Sequence, residues 1–83
     1  MQSDAEALLR GRLRWRSRRG LLELDIAFQR FLARDFDTLA PEELEALSRL
    51  LDYDDPHLWA IVSGREECEE DDLKGLVELL RKV

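Results

Sequence analysis

The sequence predicts an all-α protein, a compact five-helix bundle forming a single domain over residues 1–83, and three observations carry that prediction. Apolar residues recur at helical spacing along the chain. No segment alternates between apolar and polar residues as a half-buried strand would. Pro41 and Pro56 stand where helices begin and Gly64 where one stops, while no repeat, low-complexity tract or linker divides the chain.

Residues 4–14 make the first helix, with Leu9 and Leu13 four apart on one face. Leu21, Leu24, Phe28, Phe31 and Leu32 form the stripe of the second. Pro41 opens the third, which carries Leu44, Leu47, Leu50 and Leu51. A shorter fourth helix has Asp55 as N-cap, Pro56 at its first position and Gly64 just past its end, with Leu58, Ile61 and Val62 facing in. Leu73, Leu76, Val77 and Leu80 mark the fifth. The acidic run Glu66 to Asp72 before it reads as a solvated loop and helix start, where negative charge suits the helix dipole. Short connections join the helices of such a bundle.

A chain of 83 residues holds one modest core. Such a core supplies only about 3 to 5 kcal/mol, which favours a module acting through its surface over an enzyme with a deep private cavity. The lone Cys68 has no internal disulfide partner, and no secretory or transit leader is legible, so a reducing bacterial cytoplasm is the expected location. Apolar runs fall far below the roughly 20 residues that span a bilayer, so no membrane insertion is expected. Net charge is −6 but unevenly spread: residues 1–34 carry +4 and residues 35–83 carry −10. A basic end on an acidic body would orient encounters with a complementary partner.

Catalytic chemistry finds little support. The chain has one His, no phosphate-cradling glycine loop, and no Ser-His-Asp or Cys-His set, so no catalytic residue is assigned and the chain reads as not an enzyme. His57 lacks a second His or Cys at ligand spacing, which argues against a metal site. Acidic neighbours raise rather than lower the pKa of a thiol, so Cys68 makes a poor nucleophile. Trp59 reads as packing.

The string Arg16 to Asp25, Arg-Ser-Arg-Arg-Gly-Leu-Leu-Glu-Leu-Asp, is the most informative. If helical geometry runs through it, Arg12, Arg16, Arg19 and Glu23 stack along one face, and Arg19 and Glu23, four apart, can pair. Arginine suits bidentate recognition of a carboxylate or phosphate. Gly20 costs roughly 1 kcal/mol relative to alanine inside a helix, which suggests a helix junction or a place where another backbone comes close. Spacing favours a core position for Trp15, although an aromatic among arginines is also the composition of an interface anchor.

Several segments together resemble the succinate dehydrogenase assembly factor 2 family, the SdhE-type FAD assembly factors. They are the lead-in Arg12 to Arg19, the Arg19-Gly20-x-x-Glu23 core, the Phe36-Asp37-Thr38-Leu39 turn and the segment Leu50 to Trp59. The likeness runs from about Arg12 to the last helix. Some members carry Cys where this chain has Ser17, Ala40 stands where a capping Ser is common, and the acidic stretch after Gly64 is longer than usual. The resemblance implies a small helical assembly factor that binds the immature flavoprotein subunit of succinate dehydrogenase and promotes its covalent flavinylation. FAD then belongs to the partner, this chain having no cofactor of its own, and fumarate reductase is left open as a second client. Arg19, Gly20 and Glu23 are expected at the centre of that contact, with Arg12, Trp15, Arg16 and Asp25 around them. The small core and the absence of a long exposed apolar face suggest a monomer that joins its partner one to one. The alternative is an antitoxin or nucleic-acid-binding protein using the basic strip Arg10 to Arg19; the acidic body and the lack of a helix-turn-helix reading head speak against nucleic acid.

Overall fold

The computed structural model describes residues 4–82. It contains five α-helices: α1 (Asp4–Arg16), α2 (Leu22–Arg34), α3 (Pro41–Leu50), α4 (Asp55–Val62) and α5 (Lys74–Arg81). Single 3₁₀ turns at Phe36–Thr38 and Asp71–Leu73 lead into α3 and α5. Among the described residues there is no strand, as the periodicity predicted.

The predicted stripes form the core, except that Leu21 precedes α2 and is only partly buried, and Leu73, buried, sits on the 3₁₀ turn ahead of α5. Leu24, Phe28, Phe31 and Leu32 of α2 are buried, as are Leu44, Leu47 and Leu50 of α3, Leu58, Ile61 and Val62 of α4, and Leu76, Val77 and Leu80 of α5. Phe28 and Phe31 meet edge to face, with ring centroids 6.5 Å apart, the arrangement that aligns a positive ring edge with a negative ring face. Phe36, on the first 3₁₀ turn, is fully buried and closes the core beneath α1. Helix α1 contributes one buried residue, Leu13, with Leu9 packed at the margin. Its attachment is therefore largely polar and cationic. Arg10 donates to the carbonyls of Phe36 and Leu39, Arg14 pairs with Asp37, and both guanidinium groups lie over the Phe36 ring.

The helix ends follow local chemistry, with one correction. Ala40 has no side-chain oxygen, yet α3 keeps half of a capping box because the Glu43 carboxylate accepts the Ala40 N–H at 2.9 Å. Gly64, at φ +87°, occupies the left-handed position after α4 and lets the N–H groups of Arg65 and Glu66 reach the Ala60 carbonyl. The N-cap of α4 is Asp54, not Asp55: its side chain accepts the His57 N–H at 2.9 Å. Of two adjacent aspartates before Pro56, the first takes the capping role and leaves the second free to bind elsewhere.

No helix is long and apolar enough to cross a membrane among the described residues.

Candidate functional site

Helical geometry does not run through the signature. Helix α1 ends at Arg16 and α2 begins at Leu22, so Arg12 and Arg16 lie on one helix, Glu23 on another, and Arg19-Gly20 in the turn between them. The expected single cationic face and the Arg19–Glu23 pair are therefore absent. Ser17 starts the turn: it is fully buried, and its Oγ donates to the Leu13 carbonyl at 2.7 Å, which satisfies a polar group inside the core.

Asp55 holds the rest of the turn in place. Its Oδ1 accepts the Arg19 Nε–H at 2.7 Å, and its Oδ2 accepts the backbone N–H groups of Gly20 at 3.1 Å and Leu21 at 3.3 Å. Arg19 spends its other donors on the carbonyls of Arg16, Leu51 and Tyr53. Its own N–H goes to the Asp25 carboxylate at 3.0 Å. Only 13 % of the Arg19 side chain is exposed, so the signature arginine is a clamp joining the α1–α2 turn to the α3–α4 turn rather than a group presented to solvent. Burial raises the carboxyl pKa of Asp55, but the bonds from Arg19, Leu21 and Gly20 outweigh it and hold the pKa below the ordinary carboxylate value.

Arg16 is also engaged within the chain, donating to Ser48 Oγ at 3.1 Å and, at the surface, to Asp52 Oδ1 at 2.5 Å. Asp25, partly buried, accepts the Arg19 N–H of the turn. These pairs fold the charge dipole of the sequence onto itself: Arg14, Arg16 and Arg19, from the basic end, meet Asp37, Asp52 and Asp55, from the acidic one.

The turn leaves a different set outside. Gly20 and Glu23 are exposed, and a Cβ built on Gly20 would meet only Asp55 Oδ2, at an ordinary contact distance of 3.7 Å. Neither crowding nor a positive φ requires glycine here. Trp15 lies in solvent at 69 % exposure, not in the core that its spacing favoured, and Arg18 covers its ring at 5.2 Å. Arg12 is exposed one turn earlier, and Leu8 shares this outer face of α1, so Leu8, Arg12 and Trp15 line a shallow apolar groove. Leu22, at 67 % exposure, opens α2 on the far side of the turn. These exposed apolar groups revise the expectation that the chain lacks an apolar face.

Sequence reasoning missed Asp55 because the contact spans 36 positions, and missed Leu8 and Leu22 because they fall off the core stripes. The adjacent Asp54 and Asp55 before one proline were the available signal, since one helix start uses only one cap.

Elsewhere, His57 pairs with Glu66 at 3.2 Å and stacks near Tyr53. Trp59 packs at the edge of the core and Cys68 is buried. Among the described residues, no group of three or more His, Cys, Asp or Glu side chains is arranged to hold a metal ion.

Comparison with known proteins adds a specific likeness. Residues 11–83 match the family described as the flavinator of succinate dehydrogenase. The FAD assembly factor SdhE of Idiomarina loihiensis is 37 % identical over 79 residues, covering 95 % of this chain and 88 % of that protein. The protein of the same name from Legionella pneumophila is 42 % identical over 72 residues, covering 87 % of this chain and 90 % of that one. Its counterpart in Coxiella burnetii is 35 % identical over 78 residues, covering 94 % and 95 %. No solved structure matches the chain.

Proposed function

Because the chain belongs to the family of succinate dehydrogenase flavinators, we propose that it binds the immature flavoprotein subunit of that enzyme and promotes covalent attachment of FAD to it, acting by docking rather than by catalysis. Its contact surface is the exposed rim of the α1–α2 turn: Gly20 and Glu23 at the centre, flanked by Arg12 and Trp15. Arg19, Arg16 and Asp25 serve this surface from behind by fixing the turn. FAD is cargo on the client, and the coupling is performed by the client's own groups once the docked chain holds them in a productive arrangement. The complex is one to one and forms in the bacterial cytoplasm.

The observation that carries this reading is the exposed Gly20. Glycine is needed neither for backbone conformation nor for packing within this chain, so its value lies in leaving room for something that approaches the turn. Trp15, Arg18 and Arg12 beside it supply the aromatic and guanidinium groups that dominate interface energetics.

The nucleic-acid alternative loses support in the fold. Of the basic strip, the side chains of Arg10, Arg14, Arg16 and Arg19 are engaged within the chain, leaving those of Arg12 and Arg18 without a hydrogen bond or ion pair among the described residues. Two cations on an acidic protein make a weak phosphate site.

The test is covalent flavin on the flavoprotein subunit, read by in-gel fluorescence or intact mass with the native chain, without it, and with Gly20→Arg. Flavinylation should rise with the native chain and fall to the unassisted level with the variant. Equal labelling in all three would refute the role. Running the assay with the flavoprotein of fumarate reductase decides whether that subunit is a client too.

A further inference from the structure

We propose that the docking surface continues from the turn along the outer face of α2 into the groove between α2, α4 and α5, and that this groove receives an acidic segment of the flavoprotein client carrying an apolar side chain. The inference rests on the reading above and extends it to a second contact.

Glu23 belongs to both places. It stands on the exposed rim of the α1–α2 turn and also lines the groove, so the two surfaces are continuous. Leu22, Ile26 and Arg30 follow one another at four-residue steps, which places them on one helix face leading away from the turn. Ile26 is 41 % exposed although the other large apolar residues of α2 beyond Leu22 are buried. Trp59, half-buried, provides the facing wall from α4. An apolar floor with an indole at its side fits a hydrophobic side chain of a docked segment.

Charge selects the rest of the occupant. Arg30, Arg81 and Lys82 surround the groove, and Glu23 is the one acidic residue that lines it. Arg30 and Lys82 have no ion-pair partner among the described residues, in contrast to the paired arginines 14, 16 and 19. Arg81 is fixed by bonds from its guanidinium to the Ile61 carbonyl, at 3.2 and 2.7 Å, and keeps its charge at the groove edge. A local excess of cations on a chain of net charge −6 is complementary to carboxylates flanking an apolar residue. A bare phosphate ligand would make no use of the apolar floor.

The experiment uses the full chain and the purified flavoprotein subunit before flavin attachment. A photo-cross-linking amino acid is placed at exposed position 26, or at position 12 beside the turn, and linked client peptides are identified by mass spectrometry. Arg30→Glu is measured for affinity in parallel. Expected results are a cross-link from position 26 to an acidic client segment, and binding of Arg30→Glu weakened by about tenfold, more at low salt than at high. Cross-linking from position 12 but not 26, or unchanged affinity of Arg30→Glu, overturns the groove while leaving docking at the turn intact. A cross-link from position 26 to a second copy of this chain, or to a basic client segment, overturns the proposed occupant. Failure of the native chain to form any complex with the subunit removes the parent reading and this one together.

Discussion

Arg19 and Asp55, 36 positions apart in sequence, meet at 2.7 Å through Nε and Oδ1, and the other oxygen of the same carboxylate accepts the N–H groups of Gly20 and Leu21. One side chain thus fixes both the arginine and the backbone of the α1–α2 turn. The signature residues divide by task as a result: Arg19 shapes the turn from inside, and Gly20 and Glu23 are what the turn displays. A guanidinium suits the inner task because its five donors, set in a rigid plane, can reach a carboxylate and several carbonyls at once.

Replacing Asp55 with Ala should lower stability by about 2 to 3 kcal/mol, since it removes the counter-charge of a mostly buried guanidinium and the acceptor that fixes two backbone N–H groups of the turn. In a domain this small that corresponds to a fall in Tm of roughly 10 to 20 °C, measurable by circular dichroism. The acid response follows from the same contacts. The folded carboxyl of Asp55 lies below its unfolded value, so its contribution is present above the ordinary carboxylate pKa and is lost as pH falls through the folded value. Asp55→Asn should therefore show a shallower loss of stability between about pH 5 and the acid limit. Parallel stability–pH curves for the two proteins would contradict the assignment.

Gly20→Ala and Gly20→Arg should both fold, because the added Cβ meets only the Asp55 carboxylate at van der Waals distance. Their melting temperatures should stay close to the native one. Client binding should separate them, with Ala weakening the complex modestly and Arg abolishing it, as titration against the flavoprotein subunit would record. A large drop in Tm for Gly20→Ala would instead make the glycine a requirement of the fold.

The core was legible because it is periodic. Leu24, Phe28 and Phe31, or Leu73, Leu76, Val77 and Leu80, announce their burial by spacing alone, and the structure buries all of them. The site was legible only as a string. Whether Arg19 points outward or inward depends on Asp55, which a local reading spends on capping α4, and nothing within the string from Arg16 to Asp25 records that Asp54 caps instead. Trp15 is a different case, because its local spacing points outward. It stands two residues from buried Leu13 and six from Leu9, neither of them a same-face offset, so helical geometry turns it toward solvent once α1 rests on Leu9 and Leu13.

Tyr53, the one tyrosine of the chain, offers a spectroscopic check on the acidic segment before α5. Its hydroxyl donates to Glu70 Oε2 at 2.8 Å, and Arg49 ties Glu70 and Asp72 to α3. The bond to Glu70, then burial, raise the phenol pKa above its ordinary value. A raised folded pKa means this contribution is complete below the unfolded value near pH 10 and is lost as pH rises through the folded one. Near-ultraviolet absorbance should show Tyr53 ionising later than a free tyrosine, and Glu70→Gln should move that titration back down. Coincident curves for the two proteins would mean the segment does not rest on Tyr53 in solution.

Trp15 and Leu13 lie two positions apart on α1 and should respond to truncation in opposite ways. Leu13 is 1 % exposed and is the one fully buried side chain holding α1 to the core, so Leu13→Ala should cost about 2 to 4 kcal/mol of stability. Trp15→Ala removes a ring that touches chiefly the Arg18 guanidinium and solvent, so stability should move by no more than about 0.5 kcal/mol. Affinity for the flavoprotein subunit should fall by about 2 kcal/mol with Trp15→Ala, roughly thirtyfold, if the ring anchors the complex. Thermal unfolding and binding titration on the two variants therefore separate the inner face of α1 from its outer one. Native-like affinity for Trp15→Ala would exclude the outer face of α1 from the contact and leave Gly20, Glu23 and the α2 groove as the whole of it.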